Sequence, residues 1–267
     1  MAGWKISLIV VVAVVVVLAL VSVLVFRPMG WVIGAWVIGA GEVIAEQHPH
    51  EGFDRVAVSN AIEVEITRSE DYAITVTGYE NLIPRVEVDL VGEELRITLA
   101  PGTYFRNNVE AFITMPDLSG LTVSGASEAS AMGFASTDAF EMNVSGASRV
   151  AIDMEAGNAT ADISGASRLA GTLRAHDTSL TLSGASRCEL TGSAADMELD
   201  VSGASRADLL QFEVQNVDAD VSGASRATIN MTGTLNVELS GASTLEYTGD
   251  VNLGVANVTD ASTLTRL

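Results

Sequence analysis

Seven copies of the tetrapeptide S-G-A-S, spaced about 19 residues apart, limit what this chain can fold into more than any other feature. They begin at Ser124, Ser145, Ser164, Ser183, Ser202, Ser222 and Ser240, and a worn copy, T-D-A-S, begins at Thr259. Successive starts lie 21, 19, 19, 19, 20, 18 and 19 residues apart. A fixed period of this size marks a solenoid, in which one repeat buries its apolar side only against its neighbours.

The flanks of the motif give the local conformation. Val144 precedes one copy and Val150 and Ile152 follow it; Val221 pairs in the same way with Ala227 and Ile229, and Leu239 with Leu245 and Tyr247. Apolar and polar positions alternate with period two, as in half-buried strands, and the parity survives passage through the motif. An extended backbone there would turn the Gly and the second Ser inward, and the first Ser and the Ala outward. A sharp corner at the Gly, where a missing Cβ lets coils approach, also fits. Stacked second serines (Ser148, Ser167, Ser186, Ser205, Ser225) would form a buried hydroxyl ladder, each bonded to a backbone carbonyl or to the next hydroxyl. Coils paired as parallel strands rise about 4.8 Å each, so eight give a rod of roughly 38 Å. Its last coil, near residues 263–267, would present an open edge suited to association.

Residues 53–118 read as shorter alternating strands broken by turn chemistry at Ser69-Glu70-Asp71, Gly92-Glu93-Glu94 and Pro101-Gly102. They should extend or cap the start of the stack, and Ser59-Asn60-Ala61 looks like a distant cousin of the motif. Residues 119–267 hold the repeats, and no stretch after residue 52 has the period of an amphipathic helix.

Residues 6–26 carry no charge and are mostly Val, Leu, Ile and Ala. As a helix they would span roughly 31 Å, about one hydrocarbon core. A cleaved signal peptide has a shorter apolar core and a small-residue cleavage site. The expectation is therefore an uncleaved signal anchor, with residues 1–5 cytoplasmic, 27–52 a juxtamembrane linker and 53–267 outside the cell membrane. The tandem W-V-I-G-A-W-V-I-G-A at residues 31–40 has two readings: Trp31 and Trp36 in the headgroup zone, or a β-segment leading into the domain. His48-Pro49-His50-Glu51 reads as a stalk rather than a metal site.

The formal net charge is −20, from 14 basic and 34 acidic residues. Long-range repulsion on this scale argues against nucleic acid as a partner. A lone cysteine, Cys188, permits no internal disulfide and no cysteine metal cluster. Its inward parity makes it a small buried hydrophobe. Sequons at Asn143, Asn158, Asn230 and Asn257 are a mild pointer to surface glycosylation.

The opening Phe53-Asp54-Arg55-Val56-Ala57-Val58, the bridge Met115-Pro116-Asp117-Leu118 and the in-frame S-G-A-S coils together resemble the family described as putative auto-transporter adhesin, head GIN domain. The resemblance covers about residues 53–267. It implies an all-β, right-handed parallel β-helix of about eight coils or more on the cell surface or in the envelope. The family's name also implies a membrane β-barrel of some hundreds of residues; no such stretch follows the repeats here, and the N-terminal span is expected to hold the chain instead.

The residue after the motif is Arg149, Arg168, Arg187, Arg206 and Arg226 in five consecutive coils. Stacking makes them an outward column that could grip a polyanion, such as a sulfated or uronate-bearing glycan, through guanidinium forks. The plainer reading is neutralisation by nearby acids: Asp153, Asp162, Glu189, Asp200, Asp208 and Asp220. No coil is embellished as an active site. His176 beside Asp177 reads as a solvated turn pair, and no nucleophile, phosphate loop or calcium nonapeptide is present, so neither catalysis nor a cofactor is expected. The sequence thus reads as a membrane-anchored surface module for adhesion or for binding glycan or protein. Self-association through the solenoid is the alternative.

Overall fold

The computed structural model describes residues 36–267. The expected span and cytoplasmic tail lie outside the described residues; among those described, no helix is long and apolar enough to cross a membrane. The only helix in that region is a single 3-10 turn, Ile83–Arg85, in an otherwise all-β domain.

The repeats form a parallel β-solenoid of eight coils. Each coil contributes one strand before its S-G-A-S corner and one after it, and these stack into two ladders. The leading ladder runs through Gly120–Val123, Phe140–Val144, Asn158–Ile163 and Asp177–Leu182, all in parallel register. The trailing ladder runs through Glu128–Ala135, Arg149–Glu155 and Arg168–Arg174 into Arg187–Val201. Inward positions stack like on like. Val144, Ile163, Leu182, Val201, Val221 and Leu239 form one fully buried column. Each such side chain is worth about 1.5–3 kcal/mol relative to exposure, and each is covered above and below by its counterparts in adjacent coils.

The motif is a tight turn and not an extended passage, which corrects one expectation. Gly146, Gly165, Gly184, Gly203, Gly223 and Gly241 have φ near +77°, between 76° and 78°. They are exposed at the corner together with the Ala, and only the second Ser points inward. The left-handed residue bends the chain from the leading ladder into the trailing one, and parity is kept because the turn absorbs an even number of residues. The glycines form a column through Ala166 N–H to Gly146 O (2.8 Å), Ala185 to Gly165 (2.7 Å), Ala204 to Gly184 (2.7 Å), Ala224 to Gly203 (2.8 Å) and Ala242 to Gly223 (2.7 Å).

The second serines stack in the expected buried file, but their hydroxyls bond to backbone groups and not to one another, and the Ser225 hydroxyl has no partner among the described residues. Ser148 Oγ and Ser186 Oγ each donate to the carbonyl three residues back at 2.8 Å. Ser167 Oγ and Ser205 Oγ accept from the backbone N–H of Ser148 and Ser186 at 3.3 Å. Cys188 lies in register between Leu169 and Ala207, fully buried, and burial pushes its thiol far above the usual range. We expect no reaction with a thiol reagent in the folded state and stoichiometric labelling once denaturant unfolds the chain; rapid native labelling would contradict this packing.

The start of the stack does not follow chain order. Gly120–Val123 rests on Arg55–Val58, which in turn rests on Glu94–Leu99. In the trailing ladder Glu128–Ala135 rests on Glu63–Arg68, which rests on Glu110–Met115. The first coil made is therefore sandwiched between a later segment and the first repeat. Ser59-Asn60-Ala61 does occupy the corner below Gly125: Asn60 and Ala61 have φ of 67° and 60°, and Ala61 N–H donates to Gly125 O at 3.0 Å. Antiparallel strands close the bottom, Val86–Val91 on Glu94–Leu99 and Ala73–Tyr79 on Glu110–Met115. Residues 36–52, the described part of the expected linker, supply two further strands. Val43–Gln47 pairs with Ala73–Tyr79, and Trp36–Ile38 pairs with Thr103–Phe105. At the other end, Asn252–Val258 and Thr263–Arg266 pair on one side only, leaving Leu253, Val255 and Val258 exposed.

Candidate functional site: a charged column beside the corner

Because each corner returns the chain at the same height, the residue after it falls in a vertical file. Strand register places Arg149, Arg168, Arg187, Arg206 and Arg226 directly over one another. The file continues beyond them. Below Arg149 come Glu128, Glu63 and Glu110, and above Arg226 come Thr244 and Thr263. One column thus carries three acids, then five guanidinium groups, then two hydroxyls. Glu128 stands at the repeat's own offset, one residue after its motif; the segments bearing Glu110 and Glu63 stack out of order, so those two acids were not readable from the repeat alone.

Neighbouring guanidinium groups one strand spacing apart repel by about 1 kcal/mol per pair in water, so the adjoining file matters. Two residues further along each strand stand Ser130, Ala151, Ala170, Glu189, Asp208, Thr228 and Glu246. Glu189 pairs with Arg187 and, at 3.5 Å, with Arg168; Asp208 pairs with Arg206 at 3.7 Å. Neutralisation is therefore real for the middle of the column. It comes from Glu189 and Asp208, whereas Asp162, Asp200 and Asp220 belong to the leading ladder and form no ion pair with the arginines. Arg149 and Arg226 have no ion pair among the described residues. Beside Arg149 the adjoining file is small, Ser130, Ala151 and Ala170, and a shallow depression opens there, lined also by Glu63, Glu128, Arg149 and Arg168. A guanidinium without a partner next to a carboxylate without one can take an acid group and a hydroxyl from the same ligand.

The leading ladder carries opposite chemistry. Asp162, Thr181, Asp200, Asp220 and Glu238 stack in one file, and Glu198 on Asp218 in the next. The fixed offset of this file, two residues before the motif, was a legible signal. Asn236 relieves part of the load by donating to Asp218 at 2.6 Å, and Asn216 donates to Asp196 at 2.8 Å. Partial burial, then the charges of Asp200 and Glu238, raise the Asp220 carboxyl above its ordinary range. A raised folded value favours the protonated form, so this carboxylate opposes folding at neutral pH and ceases to do so as pH falls through its titration. Asp220→Asn should therefore raise Tm slightly at pH 7, with the gain shrinking toward pH 4; thermal melts across that range would show it.

Elsewhere, His176 is exposed, with Nδ1 3.0 Å from Asp177 Oδ1. Among the described residues no group of three or more His, Cys, Asp or Glu side chains is placed to hold a metal ion.

Fold and surface together define a repetitive parallel β-solenoid whose distinctive features are outward charged files. The chain belongs to the family described as "Putative auto-transporter adhesin, head GIN domain", whose model matches residues 52–250. Solved structures share the fold. A putative adhesin from Parabacteroides merdae ATCC 43184 is 18% identical, with a TM-score of 0.77 over 87% of this chain and 99% of that one. A putative lipid binding protein from Parabacteroides distasonis ATCC 8503 is 15% identical, with a TM-score of 0.81 over 87% and 99%. A putative adhesin from the same strain is 18% identical, with a TM-score of 0.74 over 87% and 100%. None of the curated proteins matches the sequence significantly.

Proposed function

We propose that this chain is a membrane-anchored surface module that binds an acidic polymer, glycan or protein, along its arginine column and performs no catalysis. The observation carrying this reading is the in-register file of Arg149, Arg168, Arg187, Arg206 and Arg226, whose lower end is unpaired beside Glu128. A polymer with an acid group on each unit would meet many equivalent weak sites, and avidity adds them. Residues 6–26 anchor the chain in the cell membrane, and the solenoid, right-handed as the family resemblance implies, stands outside. The structural relatives named as adhesins agree with a non-enzymatic role.

Binding to an array of sulfated and uronate-bearing glycans tests the reading. Arg149→Ser together with Arg168→Ser should weaken binding about tenfold or more, and raised salt should weaken it further. Retained binding would remove the column as the contact surface. Incubation with acidic polysaccharides should release no new reducing ends or unsaturated products.

Self-association through the solenoid is the second reading, supported by the exposed Leu253, Val255 and Val258. A concentration-dependent rise in sedimentation coefficient, abolished by Val255→Asp, would favour it over polymer binding.

A further inference from the structure

The strand Trp36–Ile38 is apolar on both faces. Val37 points inward and joins the core, whereas Trp36 and Ile38 point out and are 75% and 57% exposed. In its parallel partner Thr103–Phe105, Tyr104 packs against the core and Phe105 points out. Register pairs Ile38 with Phe105, which is 47% exposed on the same outer side. The Trp36 and Phe105 rings lie 5.8 Å apart, tilted by 59°. A parallel strand that is apolar on both faces is the kind normally covered on both; here one face is open.

The ribbon is fastened rather than loosely attached. Gly39 N–H donates to Phe105 O at 2.9 Å. The Asn81 side chain accepts from Ala40 N–H at 2.9 Å and donates to Ile38 O at 2.8 Å. A Cβ on Gly39 would fall 2.4 Å from Arg106 O, so the chain lies directly on the Arg106 backbone. Three large apolar side chains are thus held outward on a rigid support, which marks a contact surface.

Two observations choose the occupant. Nine residues lie between Phe26, the end of the apolar run, and Trp36; ten steps of 3.6 Å reach at most about 36 Å. If that run spans the membrane, as proposed above, the ribbon cannot leave the bilayer's vicinity. The side chains also suit an interface: indole and phenyl rings, an aliphatic wedge, and Arg106 beside Phe105 for a headgroup phosphate. We infer that Trp36, Ile38 and Phe105 form a foot that seats the solenoid in the headgroup layer of the membrane that holds its anchor. This inference rests on the anchor reading. The net charge of −20 selects a zwitterionic surface over an anionic one.

The full chain carrying Trp4→Phe and Trp31→Phe, reconstituted in phosphatidylcholine vesicles, leaves Trp36 as its only tryptophan. Lipids brominated near the headgroup should quench its emission about twofold or more. Ile38→Asp with Phe105→Asp, both exposed and so compatible with an unchanged far-UV spectrum, should abolish the quenching. An unquenched Trp36 in a chain that resists alkaline carbonate extraction overturns the foot and leaves the anchor standing. Release by carbonate overturns both. An unquenched but blue-shifted Trp36 in a chain that cross-links to a second copy also overturns the foot, since another protomer then covers the patch.

Discussion

Gly184→Ala is expected to destabilise the solenoid by about 3 kcal/mol or more, while Gly92→Ala should cost only about 1 kcal/mol. Both glycines occupy the left-handed region, with φ of 77° and 66°, so both substitutions pay the same conformational penalty. Their surroundings differ. A Cβ at Gly184 would lie 2.5 Å from Gly165 O and 3.1 Å from Gly165 N, whereas nothing stands within 4 Å of one at Gly92. The obstacle at Gly184 is backbone that is itself hydrogen-bonded to Ala185 at 2.7 Å. Relief requires two coils to separate at the corner, which breaks that bond and loosens the serine ladder behind it. Denaturant midpoints for the two variants isolate the steric term, since conformational strain cancels in the difference. Equal losses would mean that the corner column does not set the spacing between coils.

Phe212→Ala is expected to cost about 3–5 kcal/mol, the usual range for emptying a fully buried aromatic site. In a domain of this size that is a fall in Tm of roughly 10 °C. Phe212 is among the largest fully buried side chains and lies in register with Gly192 of the coil below, which brings no side chain. Gly192 cannot be enlarged in compensation: its Cβ would fall closer to Leu173 O than any real contact allows. The large residue above a bare backbone is therefore a matched pair. Phe212→Leu should recover about half of the loss. A solenoid transmits such damage to its neighbours, because each coil is stabilised chiefly by the two it touches. Calorimetry should accordingly show a broadened transition in the alanine variant.

How much of this could be read from the sequence follows from what repeats. The S-G-A-S period, the inward serines Ser148 to Ser225 and the arginine file all depend on an offset counted from one motif, and the structure keeps that offset. The conformation of the motif was less legible. Parity across Val144 and Val150 is the same for an extended passage and for a turn that absorbs an even number of residues, so period alone could not separate them; the positive φ of Gly146 does. The order of the first coils was not legible at all. The placing of residues 94–115 beneath residues 55–68 depends on a return of the chain that leaves no periodic trace. The charged surface was half legible. The five arginines stood out because they are alike, whereas Glu63 and Glu110 join the same file only through that return. The neutralising partners also had to be seen, since Asp200 and Asp220 are close to the arginines in sequence yet face outward on the other ladder.

The inverted base gives the molecule a polarity of growth. Once residues 94–115 seal the underside of residues 55–68, every later turn has one surface to settle on and provides one for its successor. Gain or loss of a 19-residue unit would then change the reach of the rod by a single strand spacing, about 4.8 Å, without disturbing its foundation. Such a device can be lengthened or shortened over evolutionary time like a telescope, while its mounting stays the same.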